Sequence, residues 1–485
     1  MKGGPRSPHV LFAVGLVTLL GIPLPAAAAT EIYLDGYFRL RARLLDNLAL
    51  NRDVPLSSVD ATDSTQVTSD GTSTYFQQRL RISPELRVNQ YLSVFSQIDV
   101  LPDLFWGTDP ERLSLNGDYL EPVGQSQSFT LSASTPLIVP RRAWAEFYTP
   151  IGRVKLGRAA MEVGSGVYFN DGNGIDEDYG DTADRAQFLT RIGRVWALLG
   201  FDQIYEGDPD KPYDAQAASV AIAYRSELLS GSFFTYYQMD RYRPDEGTLS
   251  TDAGAEDFPT SLDMRTWTFD LWGQARIGPV DLELETLLRY GAGDLVLQGV
   301  DTDIVQVVED SAVLQYGGMV RANWTRKQLK FGLEGGLASG DKDDTDSRFT
   351  RFTFDRDYHV GFLLFRQPLP QRARRATDAS EEDLYDPAIV GPAVSNAIYV
   401  TPAVEMQVIN NLSARLSGLG AWAMESSAAL NNQTDYGYEI DLELNSRLYD
   451  RLLLGARGAF FFPGAVFGEQ REFAFGGELR AVIEF

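Results

Sequence analysis

EFAFGGELRAVIEF, the fourteen residues 472–485, decides how the rest of the chain reads. Phe473, Phe475, Gly477, Leu479, Ala481, Ile483 and Phe485 fall on one face, while Gly476, Glu478, Arg480, Val482 and Glu484 fall on the other. Alternation with a period of two marks a β-strand whose faces meet different surroundings. One face here is apolar and the other is polar and charged. A strand closed into a membrane barrel needs that arrangement, with apolar side chains toward lipid and polar ones toward a lumen.

Working outward from this segment, the same alternation predicts eighteen strands, near 31–47, 73–89, 91–103, 139–150, 152–160, 184–194, 195–207, 215–227, 228–244, 262–278, 279–295, 311–327, 328–341, 396–410, 411–424, 435–450, 451–464 and 472–485. Eight connections are tight: Asn89–Gln90, Pro150–Gly152, Gly193–Arg194, Glu227–Leu228, Gly278–Pro279, Lys327–Gln328, Asn410–Asn411 and Tyr449–Arg451. Nine are longer and more polar, near 48–72, 104–138, 161–183, 208–214, 245–261, 296–310, 342–395, 425–434 and 465–471. Eighteen strands with both ends on one side require this division, eight turns against nine loops. Even strand number, short periplasmic turns and long outer loops are the pattern of outer-membrane barrels. Closure has its own cause, because unpaired N–H and C=O groups in hydrocarbon cost several kcal/mol each. A β-propeller would instead repeat a blade about every 40–45 residues, and no such period is present. The apolar stretch His359–Phe365 breaks the parity if counted as a strand. It is assigned to the 342–395 loop, folded over or into the pore.

The N-terminus reads as an address. Lys2 and Arg6 precede an apolar run, Val10–Ile22, that is shorter than the about 20 residues a helical span needs. Pro23, Pro25 and the small residues Ala26–Ala29 follow, so residues 1–29 are expected to be a cleaved secretory signal and 30–485 the barrel. The absence of cysteine argues against a disulfide-stapled secreted domain. A net charge of −24 disfavours nucleic acid as a partner. That acidity belongs to the nine loops, which together carry about −26, so the strands are near neutral. Acidic outer loops either hold divalent cations with lipopolysaccharide, repel anions from a pore mouth, or simply keep the rim solvated.

Alternation places a charged set toward the lumen. The pore-lining candidates are Arg39, Arg41, Arg43, Arg79, Arg81, Arg87, Arg142, Glu146, Arg185, Arg191, Arg321 and Arg480. Inward acids such as Asp99, Asp270, Glu283, Glu285, Glu334, Glu439, Asp441, Glu443 and Glu478 oppose them in comparable number. These charges either form cross-strand pairs that stiffen the wall or leave arginines free to select carboxylate- or phosphate-bearing solutes. Arg39, Arg41, Arg43, Arg79 and Arg81 are the sharpest case. Five like charges on neighbouring strands need acids or a passing anion. In the loops, Asp171, Asn173, Asp176 and Asp178 form a calcium candidate because hard cations take several oxygen ligands. The stretch departs from an EF-hand, with Ile175 at a ligand position and Asp176 at the turn glycine. Asp341, Asp343, Asp344 and Asp346 form a second acidic run. A catalytic role has little support: past the signal the chain holds one histidine, His359, and no nucleophile motif accompanies it. No enzyme activity and no cofactor is expected. Trp144, Tyr148, Trp196, Trp267, Trp324, Tyr399, Trp422 and Tyr449 read as packing or interfacial-belt residues.

An aromatic C-terminus on an alternating last strand resembles the sorting signal of bacterial outer-membrane barrels. Arg141-Arg-Ala-Trp-Ala-Glu-Phe147 leading into Gly152-Arg-Val-Lys-Leu-Gly-Arg158 is similar to the strand-turn-strand of porin-like barrels, particularly the alginate-export family, and Gly335–Asp341 is similar to another part of it. The resemblance implies an eighteen-stranded barrel in the outer membrane of a Gram-negative bacterium, with an arginine-lined conduit. The expected partners are outer-membrane lipid and lipopolysaccharide, the barrel-assembly machinery through the last strand, and a small polar or anionic solute, with the barrel acting as a monomer. The expected function is passive diffusion or export of such solutes. The alternative is a closed barrel with a surface-binding or structural role, its lumen plugged by the 342–395 loop.

Overall fold

The computed structural model describes residues 30–48, 50, 72–105, 138–206, 213–242, 262–298, 305–342, 346–367, 369, 391–427, 430–469 and 471–485. The expected signal, residues 1–29, and Asp343 and Asp344 of the second acidic run lie outside them. The strands are β1 (Glu31–Asp46), β2 (Thr72–Asn89), β3 (Leu92–Phe105), β4 (Ile138–Thr149), β5 (Gly152–Ala160), β6 (Thr182–Ile192), β7 (Val195–Glu206), β8 (Tyr213–Arg225), β9 (Leu229–Tyr242), β10 (Leu262–Ile277), β11 (Val280–Gln298), β12 (Val305–Arg326), β13 (Leu329–Ala338), β14 (Arg348–Phe349), β15 (Ala397–Ile409), β16 (Leu412–Trp422), β17 (Asp435–Leu448), β18 (Leu452–Pro463) and β19 (Ala474–Glu484). Apart from β14, each pairs antiparallel with its neighbours, and β19 returns to β1 over Tyr37↔Glu484 to Asp46↔Phe475. The wall is therefore a closed eighteen-stranded antiparallel barrel. β14 is a two-residue strand that lies parallel to β12 through Ala312↔Arg348 and Val313↔Phe349.

Strand positions follow the predicted alternation within a few residues, except at one hairpin. The β11–β12 ladder runs to Gln298 and resumes at Val305, so its connection is 299–304 rather than 296–310. A register shift between Gly293 and Leu295, with Gly293 at φ 147°, bends the ladder and lets it continue. No hydrophobic count could reveal that bulge.

Side chains divide by parity as the alternation requires. Leu199, Ile222, Leu271, Leu314, Leu333, Leu442 and Leu479 are exposed on the outer face, while Asp202, Ser219, Asp270, Glu285, Glu439 and Glu478 are buried on the inner one. Large apolar side chains on the exterior are stable only against lipid, so the wall spans a membrane. Closure is tight at the last residue. The Phe485 N–H donates to the Gly36 carbonyl (3.0 Å) and the Gly36 N–H to the Phe485 carbonyl (3.2 Å). A Cβ at Gly36 would press against the Arg81 carbonyl oxygen and lie 2.7 Å from the Phe485 ring.

The core of the molecule lies within the barrel. Residues 346–367 fold inward, and Phe352, Phe354, Phe362, Leu363, Leu364 and Phe365 pack on Leu419, Tyr436, Phe461 and Ala474 of the wall. The His359–Phe365 stretch is thus a lumen segment and not a strand. The connection between β5 and β6 folds inward too, with Phe169 and Met161 against Phe234 and Tyr236.

Candidate functional site: an arginine wall under two lumen loops

Strand pairing gathers the arginines into one surface. Arg39 lies opposite Arg79 and Tyr37 opposite Arg81 across β1–β2, while Arg41 lies opposite Arg480 and Arg43 opposite Glu478 across β1–β19. With Arg457 on β18 and Arg142 on β4, the basic surface spans six neighbouring strands, five of which supply arginines while β3 supplies Asp99 and Gln97. Burying such a surface is unfavourable unless each guanidinium finds an acceptor. Some acceptors come from the wall. Arg81 forks onto Asp99 (2.8 and 3.0 Å) and Arg43 Nε donates to Glu478 (2.6 Å).

The others come from the 161–181 loop. Asp178 Oδ1 accepts from Arg39 Nη2 and Arg41 Nη2, both at 2.5 Å, with Arg79 Nη2 at 3.4 Å. Backbone carbonyls complete the match: Ile175 accepts from Arg39 (2.6 Å), Glu177 from Arg79 (3.1 Å) and Gly172 from Arg81 (2.7 Å). Two residues before Asp178, Asp176 pairs with Arg480 and, at 3.5 Å, with Arg457. Burial alone would raise both aspartates. The arginines overcome it and hold both carboxyls well below the usual carboxylate range.

Wall carboxylates anchor the loops. Glu285 on β11 accepts the Ser165 N–H and, at 3.3 Å, the Val167 N–H. Glu439 on β17 accepts three consecutive N–H groups, from Phe362 (2.6 Å), Leu363 (2.8 Å) and Leu364 (2.6 Å). The two loops then lock together. Asp357 accepts from the Asp178 N–H (2.8 Å) and the Tyr179 N–H (3.0 Å), and the Arg356 guanidinium lies 4.0 Å over the Tyr179 ring. Burial pushes the Asp357 carboxyl up to about 6, although those two N–H groups oppose the shift. Burial, helped by Asp181, Asp357 and Glu177, pushes Asp355 up to about 8.

Below the first loop, on the short-turn side, the lumen opens into a chamber of about 990 Å³. Its lining comes from β1–β9, the end of β19 and the loop itself, and includes six basic side chains (Arg81, Arg142, Arg153, Lys155, Arg185, Arg225) against four acidic ones (Asp35, Glu162, Asp171, Glu484). Trp144 and Trp196 line it as well.

Of the sequence candidates, Arg39, Arg41, Arg43, Arg79, Arg81, Arg142 and Arg480 share the basic wall. Arg185 forks onto Asp202 (3.0 and 2.9 Å) and Glu146 accepts from Arg153 (2.9 Å), both around the chamber. Arg321 stands apart on β12, joining Glu334 (2.7 Å), Glu283 (3.0 Å) and the Tyr358 hydroxyl (3.1 Å). Arg87 and Arg191 lie near the short-turn rim. Arg87 is stacked on Tyr33 and paired with Glu85, and Arg191 is exposed against Trp196. The calcium candidate needs correcting. Asp176 and Asp178 face guanidinium groups, and Asp171 binds Asn173 with both carboxylate oxygens, so the four side chains do not surround one point. Among the described residues no group of three or more His, Asp or Glu side chains is placed to hold a metal ion. The acidic loop supplies counter-charge to the wall. Sequence reasoning missed this because spacing along a loop says nothing of its direction of fold. The excess of inward arginine on β1 and β2 was the available signal.

No protein-family model matches the chain, and no curated protein matches it by sequence. The fold itself is shared. OccK9 (OpdG) of Pseudomonas aeruginosa superposes with a TM-score of 0.50 at 10% identity, covering 94% of this chain and 99% of that one. A BenF-like porin from Pseudomonas fluorescens Pf-5 gives 0.50 at 10% identity, covering 94% and 98%. The chain has the eighteen-stranded barrel of outer-membrane porins.

Proposed function

We propose that this barrel is a channel of the bacterial outer membrane that passes small polar, preferentially anionic, solutes by diffusion or export. The observation that carries the proposal is the chamber, a lumen space with excess basic lining that lies directly beneath the buried arginine wall. A charged solute leaving water loses hydration, and fixed guanidinium groups replace it for anions only. An apolar exterior and edgeless sheet place the barrel in lipid, and the paired last strand is the segment for the assembly machinery to recognise. The monomer, with lipid and lipopolysaccharide around it, is the working form in this proposal. The relation to alginate-export barrels is supported by Gly335–Asp341, which ends a wall strand and opens an inward-folding loop. A channel role leaves no need for a catalytic group. His359 is held neutral by burial, and the Arg366 charge acts in the same direction.

One observation favours the plugged alternative. Residues 346–367 fill part of the lumen with a packed apolar core that is anchored by Glu439. Passage then depends on the chamber side alone. Liposome swelling separates the readings. A channel admits small carboxylates faster than cations of equal size, and a plugged barrel admits neither.

A further inference from the structure

We infer that the β12–β13 hairpin is a binding site for the headgroup of an anionic phospholipid in the inner leaflet. The site is on the outside of the barrel and holds whether or not the lumen conducts. Three cations meet at this hairpin: Arg326 at the end of β12, Lys327 in the two-residue turn, and Lys330 on β13. All three are exposed, and among the described residues none makes an ion pair or a side-chain hydrogen bond. Basic side chains at three other turns are engaged by acids: Arg153 by Glu146 (2.9 Å), Arg276 by Asp281 (2.6 Å) and Arg447 by Glu484 (2.8 Å). Two acids neighbour the hairpin in register and leave it charged. Glu405 lies opposite Lys330 across β13–β15 without forming an ion pair, and Asp281, opposite Asn323, is taken by Arg276.

The turn keeps a lysine where glycine is easier. Gly193, Gly278 and Lys327 hold the same place, the first of two connecting residues, with φ of 64°, 60° and 54°. L side chains seldom adopt this left-handed conformation. A Cβ at Gly193 or Gly278 would meet nothing within 4 Å, so a side chain at this place stands clear of the protein. Lipid covers the adjoining wall. Trp324, on the same outward face as Arg326 and about 6.6 Å further from the turn, stacks on its cross-strand partner Phe331 with ring centroids 5.4 Å apart. Leu329 pairs with Met406 beside them, and all four side chains are exposed. Aromatic rings at the edge of the hydrocarbon mark the interfacial zone, which puts Arg326 and Lys327 at headgroup depth. Short turns are periplasmic, and the leaflet on that side is phospholipid. A zwitterionic headgroup brings its own cation to the site. An anionic one brings only the phosphate charge that the guanidinium and ammonium lack.

Native mass spectrometry of the full barrel in detergent tests this, by titration with phosphatidylglycerol or phosphatidylcholine of matched acyl chains. One basic side chain near a membrane surface favours anionic lipid about fivefold. Two of them, partly screened by salt, predict that phosphatidylglycerol binds about tenfold more tightly than phosphatidylcholine. Arg326→Gln combined with Lys327→Gly is expected to bring the ratio below about twofold by weakening phosphatidylglycerol alone. Lys327→Gly by itself is expected to weaken phosphatidylglycerol about threefold. It should not lower the thermal unfolding temperature, because glycine fits the left-handed turn. Equal affinities for the two lipids in the unaltered protein overturn the inference, and so does a preference that survives the double variant. Glycerophosphoglycerol, the same headgroup without acyl chains, supplies the remaining arm. If it competes at the concentration of the lipid, the cations belong to a soluble periplasmic anion and the lipid site falls.

Discussion

Asp178 sits where three arginine side chains converge, and its carboxylate supplies their shared counter-charge. Its partners Arg39 and Arg41 are almost wholly buried, so removing the charge leaves cations short of compensation. Asp178→Asn is expected to shift selectivity further toward anions, by roughly threefold in permeability ratio, read from reversal potentials in a salt gradient. A shift toward cations would show that Asp178 does not screen the wall. Little of this was visible at the level of single residues. Inward arginines on β1 and β2 follow from alternation, but the loop groups that meet Arg39, Arg41, Arg79 and Arg81 lie between 91 and 139 positions away, in a loop with no period to read. Asp178 looks like a surface acid in sequence because nothing local distinguishes a carboxylate facing solvent from one facing arginine.

At the scale of elements, the lumen loops are held by a few carboxylates. Glu439→Gln replaces a charged double acceptor with an amide that presents one N–H-bearing end to three N–H donors. It is expected to weaken loop anchoring by about 1–3 kcal/mol, seen as faster hydrogen exchange at Phe362–Leu364 with the wall strands unchanged. The junction between loops responds to pH with a defined sign. Asp357 and Asp355 have carboxyls raised by burial to about 6 and about 8, so the native state holds protons that the unfolded chain has already lost. Their contribution is fully present below the ordinary aspartate range and is lost as pH rises through 6 to 8. Asp181 and Glu177 add repulsion to Asp355, and Asp178 and Glu177 to Asp357, with Arg356 stacked alongside on Tyr179. Asp178, held low by the arginines, stays ionised throughout this window. Exchange at the Asp178 and Tyr179 amides, corrected for intrinsic rate, is therefore expected to quicken between pH 5 and pH 8; constant protection would contradict the raised carboxyls. Strand closure is a separate matter. Gly36→Val would press a side chain onto the Arg81 carbonyl and the Phe485 ring, at a cost of about 1–3 kcal/mol. Its thermal unfolding should occur at lower temperature than that of the unaltered barrel. Elements of this kind were legible where one face is lipid and the other water, as along β19. They were not legible at the β11 bulge or in the loops, where inward and outward segments have the same composition.

For the whole molecule, the acidity that dominates composition is concentrated away from the wall, and part of it turns inward. Parity of eighteen strands follows from the alternating lengths of connections, and the barrel confirms it through the β1–β19 ladder. Loop direction decides whether that barrel conducts, and it does so through contacts far apart in sequence. The 346–367 loop packs on β15–β19, while the chamber opens toward β1–β9. Anions are expected to pass preferentially through the side of the lumen lined by β1–β9. Single-channel recording in planar bilayers under a potassium chloride gradient tests it most directly. The expected result is discrete conductance steps with a reversal potential displaced toward the chloride equilibrium potential. An absence of steps, or displacement toward the potassium potential, would contradict it.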